Sequence, residues 1–166
     1  MEVGYNNKMS HHKITKIISG GQTGADRAGL DVAIDLGMDY GGSLPSGRRT
    51  EHGYLSRSYT KMKEVKSRYY HVRTEKNVMD SDATIIFTYS RMGSGSALTI
   101  KKAEEHYKSC LHVNLDKQTD DEAVKIVTQW LDSVRPHTLN IAGSRESTAQ
   151  GIYQRVFNIM KEVLGN

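Results

Sequence analysis

Cysteine occurs once, at Cys110, so no disulfide can form within the chain. Its setting in the apolar stretch CLHVNL suits a buried strand. No apolar run reaches membrane-spanning length, and residues 1–13 lack the apolar core of a signal peptide. These absences fit a cytoplasmic location. The seven histidines show no paired-ligand spacing, and there is no Cys/His cluster, so no directly bound metal is expected. A serine-nucleophile elbow, an internal repeat and a low-complexity tract are all missing.

The 166 residues suffice for one domain with a full core. Residues 14–166 are expected to form it, with residues 1–13 a flexible, polar lead-in. The net charge of +4 is uneven. Residues 43–73 hold eight Lys/Arg against two acids, Glu51 and Glu64, leaving the rest of the chain at −2. This segment is either an electropositive wall for an anionic ligand or a solvated basic loop. Nucleic-acid binding is disfavoured: no recognised motif is present, and no aromatic–basic signature beyond Tyr69 and Tyr70.

The most informative segment is SGGQTGAD, Ser19 to Asp26, directly after the apolar run Ile14 to Ile18. Gly20, Gly21 and Gly24 stand where a buried strand hands over to a helix. Free N–H groups and the helix dipole favour an anion at such a junction. With Ser19 for the first glycine, Gly21 and Gly24 have the spacing of a dinucleotide fingerprint. The expected ribose acid is absent, since the second strand ends Tyr40-Gly41-Gly42. No Gly-Lys-Ser/Thr follows, which excludes a P-loop. A phosphate-cradling loop or a tight helix–strand turn remains.

Strand and helix signals alternate. After the first strand, Ala25, Ala28, Gly29, Val32, Ala33 and Leu36 share one helix face, with Thr23 and Asp26 as its cap and Gly37 as its stop. Short strands are expected near residues 39–42 and 59–65, and a helix over Thr74–Asp80. A strong strand spans Ala83–Tyr89, then a helix from Ser96 to Tyr107 and a strand at Cys110–Leu115. Thr119 and Glu122 form a capping box for the next helix, which Pro136 ends. A last strand, Thr138–Ala142, leads to a helix capped by Ser147 and Gln150. The pattern implies a parallel sheet covered on both faces, with the glycine turns at its carboxyl edge.

Gly93, Ser94, Gly95 and Ser96 make a second glycine turn at a helix start, and Ser144 and Arg145 lie in a third loop. Arg145 is either a phosphate partner or an exposed loop arginine. Arg73, Thr74, Glu75 and Asn77 precede the strong strand. They form either an anion clamp with a nearby carboxylate or a polar helix start capped by Thr74.

In SGGQTGADRAGLDVAIDLG, RTEKNVMDSDATIIF and GSGSALT the chain resembles the molybdenum-cofactor carrier family, over nearly all of residues 14–163. That family belongs to a Rossmann-like group that includes lysine-decarboxylase-like phosphoribohydrolases. The resemblance implies a three-layer α/β/α Rossmann-like fold with a parallel sheet in order 3-2-1-4-5-6. Gly20–Gly24 and Gly93–Ser96 would then flank the crevice. The group's hydrolases carry P-G-G-x-G-T-x-x-E where this chain has Arg91-Met92-Gly93-Ser94-Gly95-Ser96-Ala97-Leu98-Thr99, so Thr99 replaces the glutamate. Arg73 could match the group's substrate-binding arginine.

The expectation is a binding protein for a phosphorylated small ligand, molybdenum cofactor or a nucleotide derivative. The ligand would be held by Gly20, Gly21, Gln22, Thr23, Gly24, Asp26 and the second turn, with homo-oligomerisation compatible with the family. The alternative is a nucleotide-processing hydrolase using Glu75 or Asp26. A third reading is a nucleotide-sensing domain.

Overall fold

Ala83–Thr88 reads ATIIFT, and all six residues are buried, as befits a strand covered on both faces. This strand, β6, lies one strand in from the edge of a six-stranded parallel sheet in the computed structural model, which describes residues 13–165. The lead-in expected at residues 1–13 thus falls outside the described residues except for Lys13. The other sheet strands are β1 (Lys16–Ile18), β2 (Asp39–Leu44), β5 (Met62–Glu64), β7 (Ser109–Asn114) and β8 (Thr138–Gly143). A small hairpin, β3 (Arg49–Thr50) with β4 (Gly53–Tyr54), stands apart from the sheet.

Five helices connect them: α1 (Ala25–Asp35), α2 (Tyr70–Met79), α3 (Ser94–Glu105), α4 (Asp120–Val134) and α5 (Ile152–Gly165). Helices α1, α4 and α5 bury their apolar stripes with Ile17, Ile85, Phe87, Leu139 and Ile141 of the sheet. Helices α2 and α3 pack together over the other face. The three-layer α/β/α architecture is therefore the one the sequence implies. Among the described residues no helix is long and apolar enough to cross a membrane.

The strand order differs from 3-2-1-4-5-6. It runs β5-β2-β1-β8-β6-β7, so the last strand sits between the first and the fourth strands of the sheet. Burial explains the placement. Leu139, Asn140 and Ile141 of β8 are fully covered, whereas β7 exposes Ser109 and His112 and so suits an edge. Asp82 fastens the insertion, its carboxylate accepting the amides of His137 (3.0 Å) and Thr138 (2.8 Å).

Local boundaries also shift. Helix α2 starts four residues earlier than expected, at Tyr70, so Thr74 is a buried residue inside the helix and not its cap. Gly24, not Thr23, occupies the N-cap of α1, without a side-chain cap bond. Residues 147–151 form a turn ahead of α5. There the Glu146 carboxylate accepts the amides of Gly151 (2.6 Å) and Tyr153 (3.0 Å), the task expected of Ser147 and Gln150. The Thr119/Glu122 capping box is complete, as its spacing demands. Cys110 is only partly buried, on the edge strand; burial pushes its thiol up to about 11.

Candidate functional site

With β8 between β1 and β6, the loops after all three strands meet at the carboxyl edge. The first and second glycine turns therefore do not face each other alone; the loop carrying Ser144 and Arg145 stands between them.

The first turn is closed upon itself. The Gly21 amide donates to Ser19 Oγ (3.1 Å), Gln22 to Asp26 Oδ2 (3.2 Å), Thr23 to Gln22 Oε1 (3.1 Å) and Ala25 to the Ser144 carbonyl (3.2 Å). The Asp26 carboxylate thus holds the place at the helix start where an exogenous anion was expected. Thr23 Oγ1 donates to Glu51, whose carboxylate also accepts from the Ser147 hydroxyl and amide. Burial raises the Glu51 carboxyl, but the bonds from Ser147 and Thr23 outweigh it, so the group lies below its ordinary value.

Asp26 and Arg73 form a buried ion pair, Nη1 to Oδ2 at 3.3 Å, with side chains 5% and 13% exposed. Burial pushes the Asp26 carboxyl up, and Arg73 opposes that. Gly20 makes room for the guanidinium: a Cβ there would lie 1.4 Å from Arg73 Nη1. The Arg73 guanidinium also packs on the Tyr70 ring, Cζ 5.5 Å from its centroid, and Arg145 lies 5.2 Å from the same ring. Gln22 Nε2 and Arg73 Nε are buried without hydrogen-bond partners among the described residues.

The second turn is open. Gly93 caps α3 with no side-chain bond, and the amides of Ser94, Gly95 and Ser96 have no acceptor among the described residues. A Cβ on Gly95 would touch nothing within 4 Å, and its φ is not in the left-handed region. Neither backbone nor packing requires glycine there; what its absence leaves free is surface. An outer cavity of about 290 Å³ lies over this helix start, with Ser144, Arg145 and Thr148 on its far side. An inner cavity of about 90 Å³ adjoins it through Gly95, Ser96 and Arg145, and reaches Gln22, Asp26 and Arg73.

Of the sequence candidates, Gln22, Asp26, Arg73, Thr74, Gly93, Ser94, Gly95, Ser96, Ser144 and Arg145 line this cleft. Gly20, Gly21, Thr23 and Gly24 are not among its lining residues; Gly20 lies against Arg73 and Gly24 against the Ser144 carbonyl, whereas Gly21 faces Leu44 and Leu55 and Thr23 bonds Glu51. Glu75 and Asn77 are not among its lining residues. Glu75 accepts from His106 Nε2 (2.9 Å) on α3, which holds its carboxyl below the usual range. Asn77 clamps α2 to β2, accepting from the Ser43 amide (2.7 Å) and donating to its carbonyl (3.1 Å). Tyr70 and Glu51 escaped the sequence reading. Their only signals were an aromatic pair and one of two acids in a basic segment. Among the described residues no group of three or more His, Cys, Asp or Glu could hold a metal ion.

Residues 17–164 match the model of the circularly permutated YpsA SLOG family. The chain is also similar to a crystal structure from Syntrophus aciditrophicus SB named "Putative molybdenum carrier protein". That chain is 44% identical, with a TM-score of 0.89, over 92% of this chain and 96% of its own. No curated protein matches.

Proposed function

Since the chain belongs to the circularly permutated YpsA SLOG family, we propose that its carboxyl-edge cleft binds a phosphorylated small molecule, with the phosphate at the start of α3. The observation that carries this is the uncapped α3 N-terminus with Arg145 across from it. Three free amides and the helix dipole supply directional donors, and the two arginines supply charge. The amides of Gly21, Gln22, Thr23 and Ala25 in the first turn take no part, because they already donate within the protein. That turn instead holds Asp26, and through it Arg73, in position.

The ligand classes are molybdenum cofactor, in keeping with the name of the similar structure, and nucleotide derivatives. Both bring a phosphate that suits the helix start. Molybdenum would stay on its own pterin, as the described residues offer no ligand cluster for it. The test titrates molybdenum cofactor and nucleoside monophosphates against wild type and Gly95→Glu. Binding of at least one class, abolished by the glutamate, is expected. No binding by wild type, or unimpaired binding by Gly95→Glu, rejects the reading.

One observation favours a second reading, a nucleotide hydrolase. Asp26 lines the inner cavity with a carboxyl raised by burial, as a general acid requires. Thr99, in place of the hydrolases' glutamate, donates to the Gly95 carbonyl (2.9 Å) and brings no carboxylate. Release of base or phosphate from nucleoside monophosphates, lost in Asp26→Asn with binding retained, would select this reading.

A further inference from the structure

The amino end of the sheet carries a second cavity, of about 200 Å³, on the face covered by α2. Four lysines line it, each from a different place in the chain: Lys16 on β1, Lys61 just before β5, Lys63 on β5 and Lys76 on α2. The sheet register explains the convergence. Lys16 pairs with Asp39 and Thr138, and Lys63 with Ser43, so these residues share one face. Helix α2 closes the other side. It runs from the cleft at Tyr70 and Arg73 to this cavity at Lys76 and Asp80.

The charges do not cancel. Asp39 accepts from Lys61 (2.6 Å) and Asp80 from Lys76 (2.8 Å). Lys61, and to a smaller degree Lys16, holds the Asp39 carboxyl below its ordinary value. Lys16 and Lys63 make no ion pair of their own among the described residues. The carbonyls at the end of α2 do not add a negative wall, since Lys108 Nζ covers those of Ser81 (2.8 Å) and Met79 (3.5 Å). Two positive charges are left facing a small concave space. Like charges that share one concave space repel, so the fold bears a cost here that a bound anion would relieve.

We propose that this lysine-lined cavity is a second anion site, taking a small multivalent oxyanion of the phosphate class independently of the carboxyl-edge cleft. Ammonium groups on flexible stems act as point charges, so the site selects by charge and size; it lacks the planar fork that an arginine offers. The proposal does not rest on the function assigned to the cleft.

Pyrophosphate is the probe, titrated at low ionic strength into isotopically labelled protein and followed through backbone amide shifts, with chloride at matched ionic strength as the control. Amides at Gly42, Ser43 and Lys63 should shift and saturate separately from those at Gly95 and Ser96. The Lys16→Met/Lys63→Met variant should weaken the first set about tenfold or more and leave the second unchanged. Arg145→Ala should do the reverse. If the first set does not shift in wild type, shifts equally with chloride, or is unchanged in the double variant, the proposal is overturned. Lys63→Glu alone, at an exposed position, gives the same reading should the double variant fold poorly.

Discussion

Tyr70 and Arg145 meet across the cleft: a ring on the first turn of α2 holds the guanidinium of a loop that follows β8, 5.2 Å from its centroid. Arg73 packs on the same ring at 5.5 Å. One aromatic residue therefore sets the position of both cations. Each such contact contributes about 0.5–2 kcal/mol. Tyr70→Leu should weaken anion binding at the cleft about tenfold, while Tyr70→Phe, which keeps the ring, should bind as wild type does. Calorimetric titration of the three proteins with a nucleoside monophosphate checks this; equal loss in Phe and Leu would show that the ring is not what counts.

Asp26 and Arg73 predict a pH-dependent penalty. The folded Asp26 carboxyl lies above its unfolded value because burial disfavours its charge. Stability from this group is therefore complete below the unfolded carboxyl range and is lost as pH rises through the folded value. Removing the cation in Arg73→Met leaves a buried carboxylate unpaired, at a cost of about 3–5 kcal/mol at neutral pH and less in acid, where the group protonates. Arg73→Met/Asp26→Asn should recover most of the loss. Urea unfolding across the acid-to-neutral range measures it, and a penalty independent of pH would contradict the account.

The glycines of the two turns should respond oppositely to alanine. Gly95→Ala adds a methyl to open space in a helix and should raise stability by about 0.5–1 kcal/mol while reducing ligand affinity. Gly20→Ala places a carbon on the Arg73 guanidinium and should destabilise the protein. Thermal melts with and without ligand separate the two effects.

Asp82 should mark the acid limb of stability. The Thr138 amide, then that of His137, holds its carboxyl below the ordinary range, although burial opposes them. Such a group stabilises the fold above the unfolded carboxyl range and ceases to do so as pH falls through its folded value. Asp82→Asn should cost about 1 kcal/mol at neutral pH and nothing once the wild-type carboxyl is protonated. Parallel unfolding curves for the two proteins at each pH test it.

The elements best read from the sequence carried two independent signals. The strand at Ala83–Thr88 combined four β-branched residues with the apolar run Ile85–Phe87, and α4 joined a capping box to the stripe of Ala123, Val127 and Leu131. Helix α2 had a weaker mark. Its start at Tyr70 uses no side-chain cap, and Thr74 four residues on imitated one. Strand order was the largest gap, because pairing across a sheet leaves no mark at fixed spacing. Exposure of Ser109 and His112 distinguishes β7 as an edge only once their neighbours are known. At the site, the residue types were legible and their division of labour was not. Whether a loop amide is free depends on acceptors as distant as Ser144.

The position of β8 bears on how the protein comes to be made. It pairs Thr138 with Lys16 and Leu139 with Ala83, joining partners that have long since left the ribosome. Until it emerges, β5-β2-β1 and β6-β7 are two half-sheets, each with a bare hydrogen-bonding edge and half a core. Closure thus waits for the last strand of the described chain, and the contacts it makes are among the most distant in sequence, a topology that folds slowly and leaves nascent edges open to wrong pairing. Were the same strands translated from β8 onward, their order would read 4-3-2-1-5-6, and the strand that now closes the sheet would begin it.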